Sequence, residues 1–175
     1  MSDGVLDGLL NPGTLAPLFI LFVILQRLVE LAIARRNTAR LLARGGVEHG
    51  AGHYPVMVAL HTAWVVAIAV LGWDEPIVIP FLALWVLLQG FRAWILLSLG
   101  DRWTTRIVTV PEPLVARGPY RFVRHPNYWL VVAEIAVTPL VLGLVWVAIA
   151  FSLLNAAMLW WRIRAENRAL GYAHG

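Results

Sequence analysis

Pro111 to Tyr128 reads PEPLVARGPYRFVRHPNY, a polar run with four prolines, two tyrosines and one histidine. With Arg106 just upstream it carries four arginines: Arg106, Arg117, Arg121 and Arg124. Long apolar segments flank it on both sides. Of the chain's 175 residues, 60% are hydrophobic and only 14% charged, and the mean hydropathy is +0.74. An ordinary soluble domain is about 45–50% apolar and about 25% charged. The run is therefore expected to be the one long polar loop of an all-α integral membrane protein. Residues 1–175 are expected to form a single membrane domain.

A helix crossing a bilayer needs about 20 mostly apolar residues. Five segments approach this: Leu15 to Ala34, Tyr54 to Leu71, Ile77 to Leu99, a short one from Tyr128 to Leu142, and Leu144 to Trp161. The last helix is expected to continue in water to about Leu170. Leu142-Gly143-Leu144 leaves room only for a tight helical hairpin, and Pro139 is expected to kink or shorten the fourth helix, because proline removes a backbone bond. Residues 1–100 thus form a three-helix part, and 101–175 the polar loop with a C-terminal helical hairpin. The stretch before the first span lacks the positive region of a secretory signal, so the spans themselves are expected to drive insertion.

All 14 basic residues are arginine. Arg35, Arg36, Arg40 and Arg44 follow span one, Arg102 to Arg124 follow span three, and Arg162, Arg164 and Arg168 follow span five. With five spans these share one side, and positive loops face the cytoplasm. Asp3, Asp7, Asp74 and Glu75 fall opposite. The expected topology is N-terminus out and C-terminus in, with the polar loop on the cytoplasmic side of an inner membrane. The pI near 10.3 follows from this topology, and no nucleic-acid partner is expected. Trp73, Trp103, Trp129, Trp160 and Trp161 lie near span ends, as in an interfacial belt.

Two smaller features interrupt the helices. Span one is expected to extend as a helix and break at Gly45-Gly46. Arg106 to Val110 alternates as RIVTV, a short strand, and Pro111-Glu112-Pro113 as a turn would make a small hairpin. The chain has no cysteine, which excludes disulfides and thiolate chemistry, and no metal site is expected.

The chemically capable residues form two groups. In RHPNY, Pro126 excludes helix at His125 and suits a helix start, so the imidazole sits at a helix N-terminus, where anions are favoured. In RIRAENRAL, Arg162 and Glu166 share one helical face; alone they would read as a surface ion pair. Within the spans, Arg92 and Glu134 each lie about 10 Å in from the polar end of their helices. They are placed to pair, either as a structural pair or as a ligand clamp, with Gln89 in reach of both. His61, two turns after His53, is either a buried hydrogen-bonded histidine or a general base.

Together the two groups resemble the isoprenylcysteine carboxyl methyltransferase family. The residues that carry the resemblance are Leu114-Val115, Gly118-Pro119-Tyr120, Arg124-His125-Pro126-Asn127-Tyr128, and Arg162 with Glu166. The resemblance covers about the last 75 residues. It implies an integral membrane enzyme using S-adenosylmethionine at a site unlike the soluble Rossmann type. Glu112, Pro113, Leu114, Val115, Tyr120, His125, Pro126, Asn127, Tyr128 and Glu166 would line the cofactor, and Arg162 would face the acceptor. Tyrosine faces suit the cofactor's cation, an acid its ammonium, and arginine its carboxylate. Gln26 to Asn37 (QRLVELAIARRN), His53 to Pro55 and His61 further resemble a bacterial branch whose members O-methylate alkylpyrones or alkylresorcinol-type phenolic lipids.

The function implied is a membrane S-adenosylmethionine-dependent O-methyltransferase with a lipophilic acceptor, either such a phenolic lipid or a carboxylate such as prenylcysteine. An acidic acceptor needs only Arg162 or Arg92 to orient it. A phenol, with a pKa near 10, needs a base such as His61. The alternatives are an NADPH-dependent membrane reductase of the sterol type and a non-enzymatic membrane subunit.

Overall fold

The structure is a computed structural model that describes residues 12–169; the expectations for Asp3, Asp7 and Leu170 lie outside these. Five helices follow in order: α1 (Pro12–Ala43), α2 (Tyr54–Leu71), α3 (Ile79–Leu99), α4 (Pro126–Val141) and α5 (Val145–Ala169). Four of them, all but α4, are long and apolar enough to cross a membrane. Each expected span falls on one of these helices, and the chain is an all-α integral membrane protein. The end of α1 follows from Gly45, whose φ of +83° permits the left-handed turn; the Gly46 amide then returns to the Leu41 carbonyl at 2.9 Å.

The shortest helix is the central one. Eight of the 16 residues of α4 are buried, against α3 and α5. Pro139 sits in its last turn and has no N–H, so the carbonyl of Ile135 loses its helical donor. The Trp64 indole of α2 donates to that carbonyl at 3.3 Å. The proline that shortens α4 thereby also ties it to α2.

One expectation is corrected. Ile107–Thr109 is a strand (β2), yet its partner is not across the Pro111 turn. It pairs antiparallel with Val47–His49 (β1), with Glu48 opposite Val108. The physical reason is the spacing of prolines: Pro111 and Pro113 have no amide to give a ladder, whereas the segment after Gly46 supplies three free ones. The ribbon joins the two polar loops and is closed by the Arg106–Glu48 ion pair at 2.6 Å.

Trp103 also departs from expectation. Trp73, Trp129, Trp160 and Trp161 are exposed, as an interfacial belt requires, but Trp103 is only 4% exposed. It packs with Ala34, Ile95 and Leu130 in the core beneath the loops. Asn37 fixes this corner, its amide donating to the carbonyls of Trp103 at 2.8 Å and Gly100 at 3.2 Å.

Candidate active site

The polar loop folds back over the ends of the helices and encloses a cavity of about 410 Å³. Glu112, Leu114, Val115, Tyr120, His125, Asn127, Tyr128, Arg162 and Glu166 all line it. The other three loop positions stand behind the wall. The Pro113 carbonyl accepts from Arg102, and Pro126 is buried at the start of α4. Gly118, at φ +60°, passes so close to Ser98 that a Cβ would lie 2.0 Å from its hydroxyl. Arg117 secures the same corner, donating to the Ser98 carbonyl at 2.8 Å.

Glu112 is held by two arginines, Arg44 at the end of α1 and Arg102 in the Gly100–Arg102 turn. The Arg44 hydrogen bond first, and then Arg102, hold its carboxyl below the usual carboxylate range. Glu112 is thus a strut between loop and bundle. The cavity's other carboxylate is Glu166, which accepts from the Tyr128 hydroxyl and lies 3.8 Å from His125 Nδ1. The His125 ring stacks on Tyr128 with centroids 5.2 Å apart. Burial, and then the charge of Glu166, push the Tyr120 hydroxyl's pKa up, so it stays neutral.

Arg162 and Glu166 are not a simple surface pair; the Tyr128 hydroxyl connects them. Arg162 Nε donates to that hydroxyl at 3.0 Å, and its Nη1 reaches the Thr105 carbonyl at 2.8 Å and the Met57 sulfur at 3.2 Å. Only 7% of Arg162 is exposed. It therefore stands between α2, α4 and the loop with its position fixed from three sides.

A second cavity, of about 340 Å³, opens beneath the first among α1, α2, α4 and α5. Its walls are largely aliphatic, including Ile24, Leu28, Val58, Val65 and Leu159. Trp103, Thr104, Asn127, Tyr128 and Arg162 line both cavities, so one junction joins the loop-covered space, with its charged side chains, to a more apolar one between helices. His61 lines the lower cavity, its Nδ1 2.8 Å from the Met57 carbonyl. A carbonyl only accepts, so Nδ1 carries the proton and Nε2 is left with a lone pair.

Arg92 lines the lower cavity as well, but its guanidinium is committed elsewhere. It bonds both oxygens of Glu134 and lies 2.9 Å from Glu30. Arg27 completes the group, bonding Glu30 at 2.9 Å and Glu134 at 2.8 Å. Gln89 donates to Glu134 at 3.3 Å, and Gln26 joins Gln89 to Glu30. The Arg92–Glu134 pair foreseen from sequence is half of a neutral four-charge cluster linking α1, α3 and α4. Sequence reasoning missed Arg27 and Glu30, although two charges three residues apart inside a span were a usable signal. It also missed Asn155, a lone amide in the fifth span.

The sequence model described as the isoprenylcysteine carboxyl methyltransferase (ICMT) family matches residues 81–172. A Bacillus subtilis (strain 168) protein, described as uncharacterized protein YpbQ, is 37% identical over 159 residues, covering 87% of this chain and 95% of its own. A Haemophilus influenzae protein described only as uncharacterized is 26% identical over 111 residues, covering 59% of this chain and 64% of its own. No solved structure matches.

Proposed function

The chain belongs to the isoprenylcysteine carboxyl methyltransferase family, a family of membrane methyltransferases, and from that premise we propose that it transfers a methyl group from S-adenosylmethionine to a hydroxyl of a lipophilic acceptor. The observation that carries the reading is the shared junction: Tyr128, Asn127 and Arg162 line both a cavity under the loop, whose wall holds Arg106, Arg124 and Glu166, and a more apolar cavity between helices. A water-soluble donor and a lipid acceptor can then meet at one place.

The upper cavity suits the donor in size, since ligand sites run from about 300 to 1,000 Å³. Its residues suit it in charge. Glu166 would take the ammonium, while Arg106 and Arg124, both in the wall, would take the carboxylate. Tyr120 and Tyr128 would flank the cation. When bound, the cofactor supplies a methyl carbon on a positively charged sulfur, open to in-line displacement.

The chain's part is to hold the acceptor oxygen within about 3–3.5 Å of that carbon and to receive its proton. Arg162, fixed at the junction, would orient the oxygen and stabilise it as an anion. His61 Nε2 would accept the proton of a phenol or enol, which a carboxylate acceptor does not require. This favours a phenolic lipid over a prenylcysteine carboxylate or an acidic 4-hydroxypyrone, which are already ionised and need only Arg162 to orient them. In this reading the arginine-rich side faces the cytoplasm at an inner membrane, as positive loops favour, so that the donor enters from water and the tail from lipid.

The test is incubation of purified protein with methyl-labelled S-adenosylmethionine and alkylpyrone, alkylresorcinol and prenylcysteine acceptors, with products identified by mass. Methyl transfer to a hydroxyl is expected. Binding of NADPH in place of S-adenosylmethionine would mark a reductase, and binding of neither a non-enzymatic subunit.

A further inference from the structure

Asn155 is 2% exposed, lies in the middle of α5 and lines the lower cavity, and its amide oxygen has no hydrogen-bond partner among the described residues. Burying an amide without a partner is unfavourable. Polar side chains inside membrane spans usually face a cavity and serve it. Val65, Val131, Met158 and Leu159 line the same cavity and offer no hydrogen bond of ordinary strength. No described residue satisfies the Asn155 amide oxygen, and Asn155 stands in the wall of the cavity, which points to the cavity's occupant.

Its depth can be counted. His53 packs on Trp161 with ring centroids 6.1 Å apart, and at the far end Gly72 lies against Leu142 and Leu144, so α2 and α5 run antiparallel. Inward from the first contact, His61 is eight residues along α2 and Asn155 six along α5, about 12 and 9 Å at 1.5 Å per residue. Side chains tilt toward their own helix N-terminus. His61 therefore leans toward the junction, as its contact with Met57 confirms, while Asn155 leans away from it. Polar groups thus occur at two levels: Arg162 and Tyr128 at the junction, and His61 and Asn155 inward of it, Asn155 seven residues or about 10 Å from Arg162 along α5.

We infer that Asn155 is a specificity-determining residue that hydrogen-bonds a second oxygen function of the acceptor, inward of Arg162 and Tyr128, beside which the group to be methylated lies. The acceptor is then a lipid with two oxygen functions on one ring or short head, not a singly functional alcohol or acid. The inference takes its acceptor cavity from the methyltransferase reading above. It adds a requirement that reading does not contain.

Two probes that differ by one hydroxyl test it: 5-pentadecylresorcinol and 3-pentadecylphenol. Binding to the full-length protein in detergent is measured by equilibrium dialysis without methyl donor, and kcat/KM is then measured with it. The wild type is expected to prefer the resorcinol by about tenfold or more, since a site built to bond a hydroxyl discriminates against its absence. In Asn155→Leu, which keeps the volume apolar, and in Asn155→Ala, the preference should fall below about twofold, through KM. Equal binding of the two probes by wild type, failure to bind either, or a preference that survives both substitutions overturns the inference. Selective binding that both substitutions erase, without any methylated product, would support Asn155's role and refute the methyltransferase reading. Transfer to both probes at equal kcat/KM would do the reverse.

Discussion

The Tyr128 hydroxyl bridges two charges one turn apart on α5: Arg162 Nε donates to it at 3.0 Å, and it donates in turn to Glu166. Tyr128 lies near the start of α4, so the bond also locks the two helices of the C-terminal hairpin at their open end. The bridge holds the cation and the anion apart, Arg162 at the junction of the two cavities and Glu166 in the upper one.

Removing the charge of Glu166 while keeping its shape should weaken the donor's binding more than its turnover. A hydrogen bond to a charged group contributes about 1.5–3 kcal/mol, so Glu166→Gln is expected to raise the Kd of S-adenosylmethionine roughly tenfold to a hundredfold. Calorimetric titration in detergent measures it. An unchanged Kd would remove Glu166 from the cofactor site.

Arg162 should separate from Glu166 in kinetics. Its guanidinium makes three differently directed contacts, a pattern that lysine's single ammonium cannot reproduce. Arg162→Lys is expected to lower kcat by about tenfold to a hundredfold while changing the Kd of S-adenosylmethionine by less than about threefold. A loss confined to cofactor affinity would move Arg162 from the acceptor to the donor.

The helices and the loop were legible because membrane spans and proline-rich turns write themselves locally. Length, hydropathy and the His125-Pro126 step suffice for α4, and i,i+4 spacing puts Arg162 and Glu166 together. Apart from the Arg92–Glu134 pair, contacts between distant segments were not legible. Nothing in VEH alone marks Val47–His49 as the partner of Ile107–Thr109, and nothing in the Glu112-Pro113 turn says that Arg44 will reach it from α1. The arginines counted for topology, Arg44, Arg102 and Arg106, each also hold a carboxylate. Trp103 looked interfacial from its position and is buried, because Asn37 pulls its backbone under the loop.

The Glu112 strut gives the loop a pH dependence with a definite sign. Its folded pKa is depressed, by Arg44 first and Arg102 after. The stabilisation is therefore fully present above the ordinary carboxylate value, about 4.3, and is lost as pH falls through the lower folded value. The affinity ratio of wild type to Glu112→Gln for S-adenosylmethionine should be constant above about pH 5 and should fall toward one below it. A ratio of one at every pH would mean that the strut does not shape the cavity.

The buried cluster of Arg27, Glu30, Arg92 and Glu134 makes the sharpest stability prediction. Glu134 is 2% exposed and bonds both arginines. Glu134→Leu leaves two cations facing one carboxylate in an apolar interior, and breaking a buried pair this way costs about 3–5 kcal/mol. Replacing all four charges together, by Arg27→Met, Glu30→Leu, Arg92→Met and Glu134→Leu, removes every desolvation cost at once and should recover most of that loss. Thermal unfolding in detergent compares the two. If the single substitution is harmless, the charges are not mutually dependent. If the quadruple variant is as unstable as the single one, the cluster contributes stability through its geometry as well as its neutrality, and Arg92 and Glu134 hold α3 to α4 in a way aliphatic packing does not replace.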